Sequence, residues 1–197
     1  MAWTDGVDRA DGYVVGSTLW NQMVGATGSL MQTQHLIANV ATANTTTSTT
    51  AVDLVTISSL NVPVTAGLRI IINMRKTATN NASVYFGLKI NSTVVIEAAT
   101  SNAWGSGSAT EAQAGIAIID IAPRSTANYL SSIIIQSGFF NAAGAAAAAP
   151  GLAKVYVGSL TALLPNAAIT SIAIRALNDT LNNNAEVYSV QVLQIGY

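Results

Sequence analysis

The chain has 197 residues, a formal net charge of −1, charged residues at only 9% and no cysteine. That length fits one domain with an appendage, the charge leaves no basic footprint for duplex DNA, RNA or an anionic membrane, and a cysteine-free chain has neither a disulfide framework nor a thiolate metal site. Half the residues are hydrophobic, yet no apolar run approaches the roughly 18 to 20 residues of a bilayer span, and a surface of Thr, Ser, Asn and Ala has little of the charge repulsion that keeps copies apart.

The first stretch, WTDGVDRADGYVVGSTLWNQMVG over residues 3–25, is too polar for a signal peptide and too broken by glycine for a strand. From Ser17, a good N-cap, Leu19, Trp20, Met23, Val24, Leu30 and Met31 recur at helical spacing. A short helix ending near Gly25 is expected, with a further turn or two reaching Gln34. Residues 38–51, ANVATANTTTSTTA, have no periodicity and read as a linker or an edge strand. The expected division is therefore an arm over 1–50 and a body over 51–197.

In the body the period changes to two. LRIIINMR (68–75) puts Leu68, Ile70, Ile72 and Met74 on one face, with Arg69, Asn73 and Arg75 on the other. SVYFGLKI (83–90) does the same with Val84, Phe86, Leu88 and Ile90, and NST at 91–93 turns the chain into TVVIEA, a hairpin signal. Further runs at 52–57, 115–122, 129–136, 153–160, 169–177 and 185–195 make about nine strands without intervening helices, the pattern of an all-β antiparallel sandwich or jelly roll. In the last run Val190 and Val192 share one face and Leu193 and Ile195 the other, so burial beyond one sandwich core is expected. The segments 100–113 and 138–151 lack period and read as long surface loops.

No constellation of catalytic residues emerges. His35 is the sole histidine and has no neighbouring carboxylate, so a triad or a zinc site would rest on one residue. Asp5, Asp8 and Asp11 stand three apart, whereas a calcium loop of the EF-hand kind spaces its first ligands by two and closes on a glutamate; the segment reads as acidic turns. Asp120 sits in an apolar run and is expected to bond a backbone amide or an arginine such as Arg124. Glu97 and Glu111 flank a loop with no spacing that favours a glycosidase pair. Neither a cofactor nor a metal is expected. Sequons at Asn44, Asn81, Asn91 and Asn178 are frequent by chance in so Asn- and Thr-rich a chain.

Trp3, Gly12, Val14, Val15, Leu19, Trp20 and Asn21 resemble a recurrent opening of tailed-bacteriophage virion proteins. The stretches 68–95 and 179–195, where asparagine-rich turns precede strands, resemble the trimeric jelly-roll domains such phages use in head decoration proteins, head fibres and fibre tips. The resemblance implies a homotrimer on the outer surface of the capsid, partnered by the major capsid protein or a neighbouring virion protein. No heptads, collagen-like repeat or β-helix repeat supply a fibre shaft, which favours a decoration (cement) protein. In that reading Trp3, Tyr13, Leu19, Trp20, Met23 and Val24 dock the arm on its neighbour. The alternative is a receptor-binding or fibre-tip module that reads host glycan through loop residues Trp104, Phe139 and Phe140. A secreted carbohydrate-active enzyme, built on Glu97, Glu111 or Asp120, is a third reading without a credible acid/base pair.

Overall fold

The computed structural model describes residues 34–77, 82–99, 104–105, 112–123, 133–141, 154–156 and 167–195. The chain divides into a unit over Met1–Thr33 and a unit over Gln34–Tyr197, so every described residue belongs to the second. The expected helix over 17–25 lies outside the described residues. Gln34, expected in a helical turn, instead opens a strand.

Among the described residues the strands are β1 Gln34–Val40, β2 Asn44–Thr46, β3 Val52–Ile57, β4 Gly67–Lys76, β5 Val84–Ile90 and β6 Thr93–Ile96. They continue as β7 Trp104–Gly105, β8 Gln113–Ile121, β9 Ile133–Asn141, β10 Lys154–Tyr156, β11 Ile172–Asn178 and β12 Ala185–Ile195. All pairings are antiparallel. One sheet has seven strands in the order β1-β12-β4-β8-β9-β10, with β2 also on β12; the other has five in the order β3-β11-β5-β6, with β7 also on β5.

The pairs nest: β5 with β6, β4 with β8, β3 with β11 and β1 with β12. Nested antiparallel pairs dealt alternately to two sheets are a jelly roll, here with β9 and β10 inserted before β11 to widen the larger sheet. The nine expected strands are all present, with β1, β2 and β7 added. The body accordingly starts at Gln34, because β1 and β2 of the expected arm are paired to β12.

The core lies between the sheets and follows the period-two reading. Leu68, Ile70, Ile72 and Met74 of β4 face Val84, Phe86, Leu88 and Ile90 of β5, all fully buried; each such side chain contributes roughly 1.5–3 kcal/mol on leaving water. Two local devices hold the second sheet in shape. At the turn after β5, Asn91 adopts φ 54°, a left-handed conformation that asparagine tolerates better than most residues. Its side chain clamps the approach to β11: Nδ2 donates to the Ala168 carbonyl at 3.1 Å, and Oδ1 accepts from Thr170 N–H at 2.8 Å and Ser171 N–H at 3.2 Å. At Gly87 the chain after β6 crosses so closely that a Cβ would stand 2.4 Å from the Ile96 carbonyl oxygen and 2.5 Å from the Ala98 nitrogen. Only glycine admits that crossing.

One end of the sandwich is polar. Lys76, Ser83, Gln113, Asn178 and Asn183 are buried there, and Asn178 ties the sheets together by donating from Nδ2 to the carbonyls of Thr46 and Ser48 at 2.9 and 3.2 Å. Burial pushes the Lys76 ammonium below its ordinary value, offset in part by Asp179.

Candidate assembly surface

The outer face of the seven-stranded sheet follows from the same alternation that builds the core. Opposite the buried residues, β4 presents Arg69, Ile71, Asn73 and Arg75, and β8 presents Ala114, Ile116, Ile118 and Asp120. The register aligns Gln191, Ile71, Ile118 and Gln136 in one row, and Leu36, Leu193, Arg69, Asp120 and Ile134 in the next. Ile116, Ile134 and Leu36 are 39%, 44% and 50% exposed, and Ile71, Ile118 and Leu193 are half-buried. The sequence expectation of apolar residues on both faces of β12 is met, with Val190 and Val192 in the core and Leu193 and Ile195 on this outer side.

The charges described on this face are paired within it. Arg69 grips Asp120 with both ends of the guanidinium, Nε to Oδ1 at 2.7 Å and Nη2 to Oδ2 at 2.9 Å. Arg75 donates to Glu186, and Asn73 Nδ2 donates to Ser189 Oγ at 2.7 Å. Both arginines are held above their ordinary pKa, chiefly by these hydrogen bonds. Such a face can lose its water without stranding a charge.

Asp120, expected to bond a backbone amide or an arginine such as Arg124, does meet an arginine, but it is Arg69, placed directly opposite it by the β4–β8 register. Glu97 is bonded through both carboxylate oxygens to Arg175 Nη1, at 2.8 and 3.0 Å, on the outer side of the five-stranded sheet. Glu111 lies outside the described residues. His35 sits on β1 opposite Gln194. Among the described residues no three His, Cys, Asp or Glu side chains gather as a metal set.

The expected docking residues Trp3, Tyr13, Leu19, Trp20, Met23 and Val24 lie outside the described residues, as do Asp5, Asp8 and Asp11. The three expected loop contacts are all on strands. Trp104 is in β7 opposite Phe86, and Phe140 is in β9 opposite Ala114. Phe139 is a correction: it is buried in the core and stacks on Phe86 with ring centroids 6.2 Å apart. It stands opposite Gly115 in the β8–β9 register. A glycan-reading patch therefore loses one of its three aromatics. Two of the sequons are also committed to structure, since the Nδ2 atoms of Asn91 and Asn178 donate to backbone carbonyls.

Sequence reasoning missed the residues that make the apolar face, apart from Leu193 and Ile195. The signal was present in IAIID and in IIIQ, where isoleucines occupy both parities of a strand. No family model matches the chain, and no curated protein matches it significantly. Among the described residues no helix is long and apolar enough to cross a membrane.

Proposed function

We propose that the protein is a structural virion protein, a capsid decoration or cement protein that binds the assembled phage shell as a homotrimer. The observation that carries this reading is the outer face of the seven-stranded sheet, where Leu36, Ile71, Ile116, Ile118, Ile134 and Leu193 surround charges that neutralise one another. A contiguous apolar patch with satisfied polar groups is the property of a surface that is covered in use. The jelly-roll topology and the tryptophan-containing opening, similar to phage virion proteins, support the virion setting.

The mechanism is linkage and not turnover. A protein that binds assembled shell better than free subunits stabilises the shell by the free energy of that binding. In this account the body supplies trimer contacts, and the aromatic residues Trp3, Tyr13 and Trp20 supply the hold on the major capsid protein or a neighbouring virion protein. The test removes residues 1–33 and stops there, because Gln34 and His35 pair with Ile195 and Gln194. Mixed with decoration-free capsids and pelleted, the truncated body is expected to stay in the supernatant while the full chain sediments with the shells. Equal occupancy overturns the docking role of the arm, and absence of the full-length protein from intact particles by electron microscopy overturns the virion reading.

A further inference from the structure

At the polar end of the sandwich Lys76 is fully buried, a position that lysine seldom takes. The register sets Thr46, Ala185, Lys76 and Gln113 in one row across β2, β12, β4 and β8. Residues paired in this way share a face, here the inner one that carries Leu68 to Met74. From the other sheet Asn178, also fully buried, reaches the same row and donates from Nδ2 to the Thr46 carbonyl at 2.9 Å. Thr46 and Lys76 are two strand steps apart, about 10 Å at the usual spacing, and between them stands only Ala185, whose side chain is one methyl group. The four-methylene stem of lysine and the arm of asparagine close that span from its two ends. Asp179, next to Asn178 in the chain, acts electrostatically on the Lys76 ammonium, so amine, carboxylate and carboxamide converge. Asn178 Oδ1 is buried and accepts no hydrogen bond, whereas buried polar atoms are ordinarily satisfied.

We propose that Lys76 and Asn178 become joined after folding by an intramolecular amide bond that staples the two sheets. Lys76 gives one proton to the Asp179 carboxylate and attacks Asn178 Cγ as the uncharged amine, the form that burial favours. The Nζ–Cγ bond forms, a second amine proton passes to Nδ2, and the Cγ–Nδ2 bond breaks. The departing ammonia takes the proton held by Asp179 and leaves as ammonium, so atoms and charge balance. Asp179 already accepts from Ser83 N–H through Oδ2 at 2.8 Å; its other oxygen carries the transferred proton and donates it to the orphan Asn178 Oδ1, which polarises Cγ for attack. The product strands no carbonyl. Its remaining N–H serves Thr46, and Ser48 keeps the backbone N–H of Asn178 at 2.9 Å. Such a bond ties β4 to β11 as a disulfide would, in a chain that has no cysteine. A linked lysine no longer titrates, so any alkaline dependence of stability that comes from Lys76 belongs to freshly refolded chain, before the bond closes.

Intact-mass spectrometry of the full chain, denatured after folding, tests the bond. The expected mass is that of the sequence less one ammonia. Trypsin should then release residues 76–89, uncut after Lys76, joined to residues 176–197 as one branched peptide, since no other Lys or Arg interrupts either segment. Lys76→Met, checked for its β-sheet circular dichroism, should show the full mass. A wild-type mass equal to that of the sequence overturns the proposal. So does an ammonia loss without the branched peptide, or one that persists in Lys76→Met, because the loss then arises elsewhere in the chain.

Discussion

On the outer side of the five-stranded sheet, Arg175 donates to Asp53 at 3.1 Å and to Glu97 at 2.8 Å, while Lys89 reaches the other oxygen of Asp53 at 2.8 Å. On the outer side of the seven-stranded sheet the two ion pairs are instead interspersed with isoleucine and leucine, at Ile71, Ile116, Ile118, Ile134, Leu36 and Leu193. The same jelly roll thus carries one face that binds itself and one face that offers apolar surface. The difference lies in arrangement and not in number: the smaller sheet links Asp53, Lys89, Glu97 and Arg175 into one network where strands β3, β5 and β11 and the crossing at Gly87 must be held together, whereas the larger sheet holds Arg69–Asp120 and Arg75–Glu186 as separate pairs. The larger sheet has ten- and eleven-residue strands paired along their length and needs no such clamp.

The comparison breaks most severely at Gly87. Gly87→Ala pushes a methyl group into the backbone of Ile96 and Ala98, atoms that cannot swing aside, and displaces Glu97 from Arg175. A loss of about 3 kcal/mol in chemical denaturation is expected, with the oligomeric state of the folded fraction unchanged. Arg175→Ala comes next. It removes the shared partner of Asp53 and Glu97, whose carboxylates are about one-third exposed, so water compensates in part and the loss should be about 1–2 kcal/mol. Salt should shrink that difference, since part of the network is screened.

A smaller effect sharpens the contrast from inside the larger sheet. Lys76 has its pKa lowered from 10.5 by burial, so in the interval below 10.5 the unfolded chain binds more protons than the folded one, and stability rises with pH there. Lys76→Met should flatten that rise. Melting temperatures of the two proteins at a series of alkaline pH values check this, and parallel curves would show that Lys76 keeps its charge at no cost.

Much of the fold was legible because a half-buried strand writes its inner face at every second residue. Leu68 to Met74 and Val84 to Ile90 were read this way and are all in the core. β1 and β2 were legible only as the edge-strand alternative for residues 38–51, since QHLIANV and NTT hold positions whose pairing is supplied by the β12 backbone and not by an alternating apolar face. Phe139 was read as loop because Gly138 and the alanine-rich segment after it mimic a turn; its burial follows from the pairing of β9 with β8 and its stacking on Phe86, long-range contacts that no local pattern encodes. The apolar surface was legible only in part. Apolar residues on both parities of β12 announced extra burial, but the row from Leu36 to Ile134 exists only once four strand pairs are in register.

The most direct test of the account is sedimentation velocity on the wild-type protein beside an Ile116→Asp, Ile134→Asp variant, both at micromolar concentration. These two residues are exposed on the apolar face and contribute little to the core, so the variant should keep the circular dichroism of the β-body. The account predicts a trimer for the wild type and a folded monomer for the variant. A monomeric wild type, or a variant that remains a trimer, would contradict it.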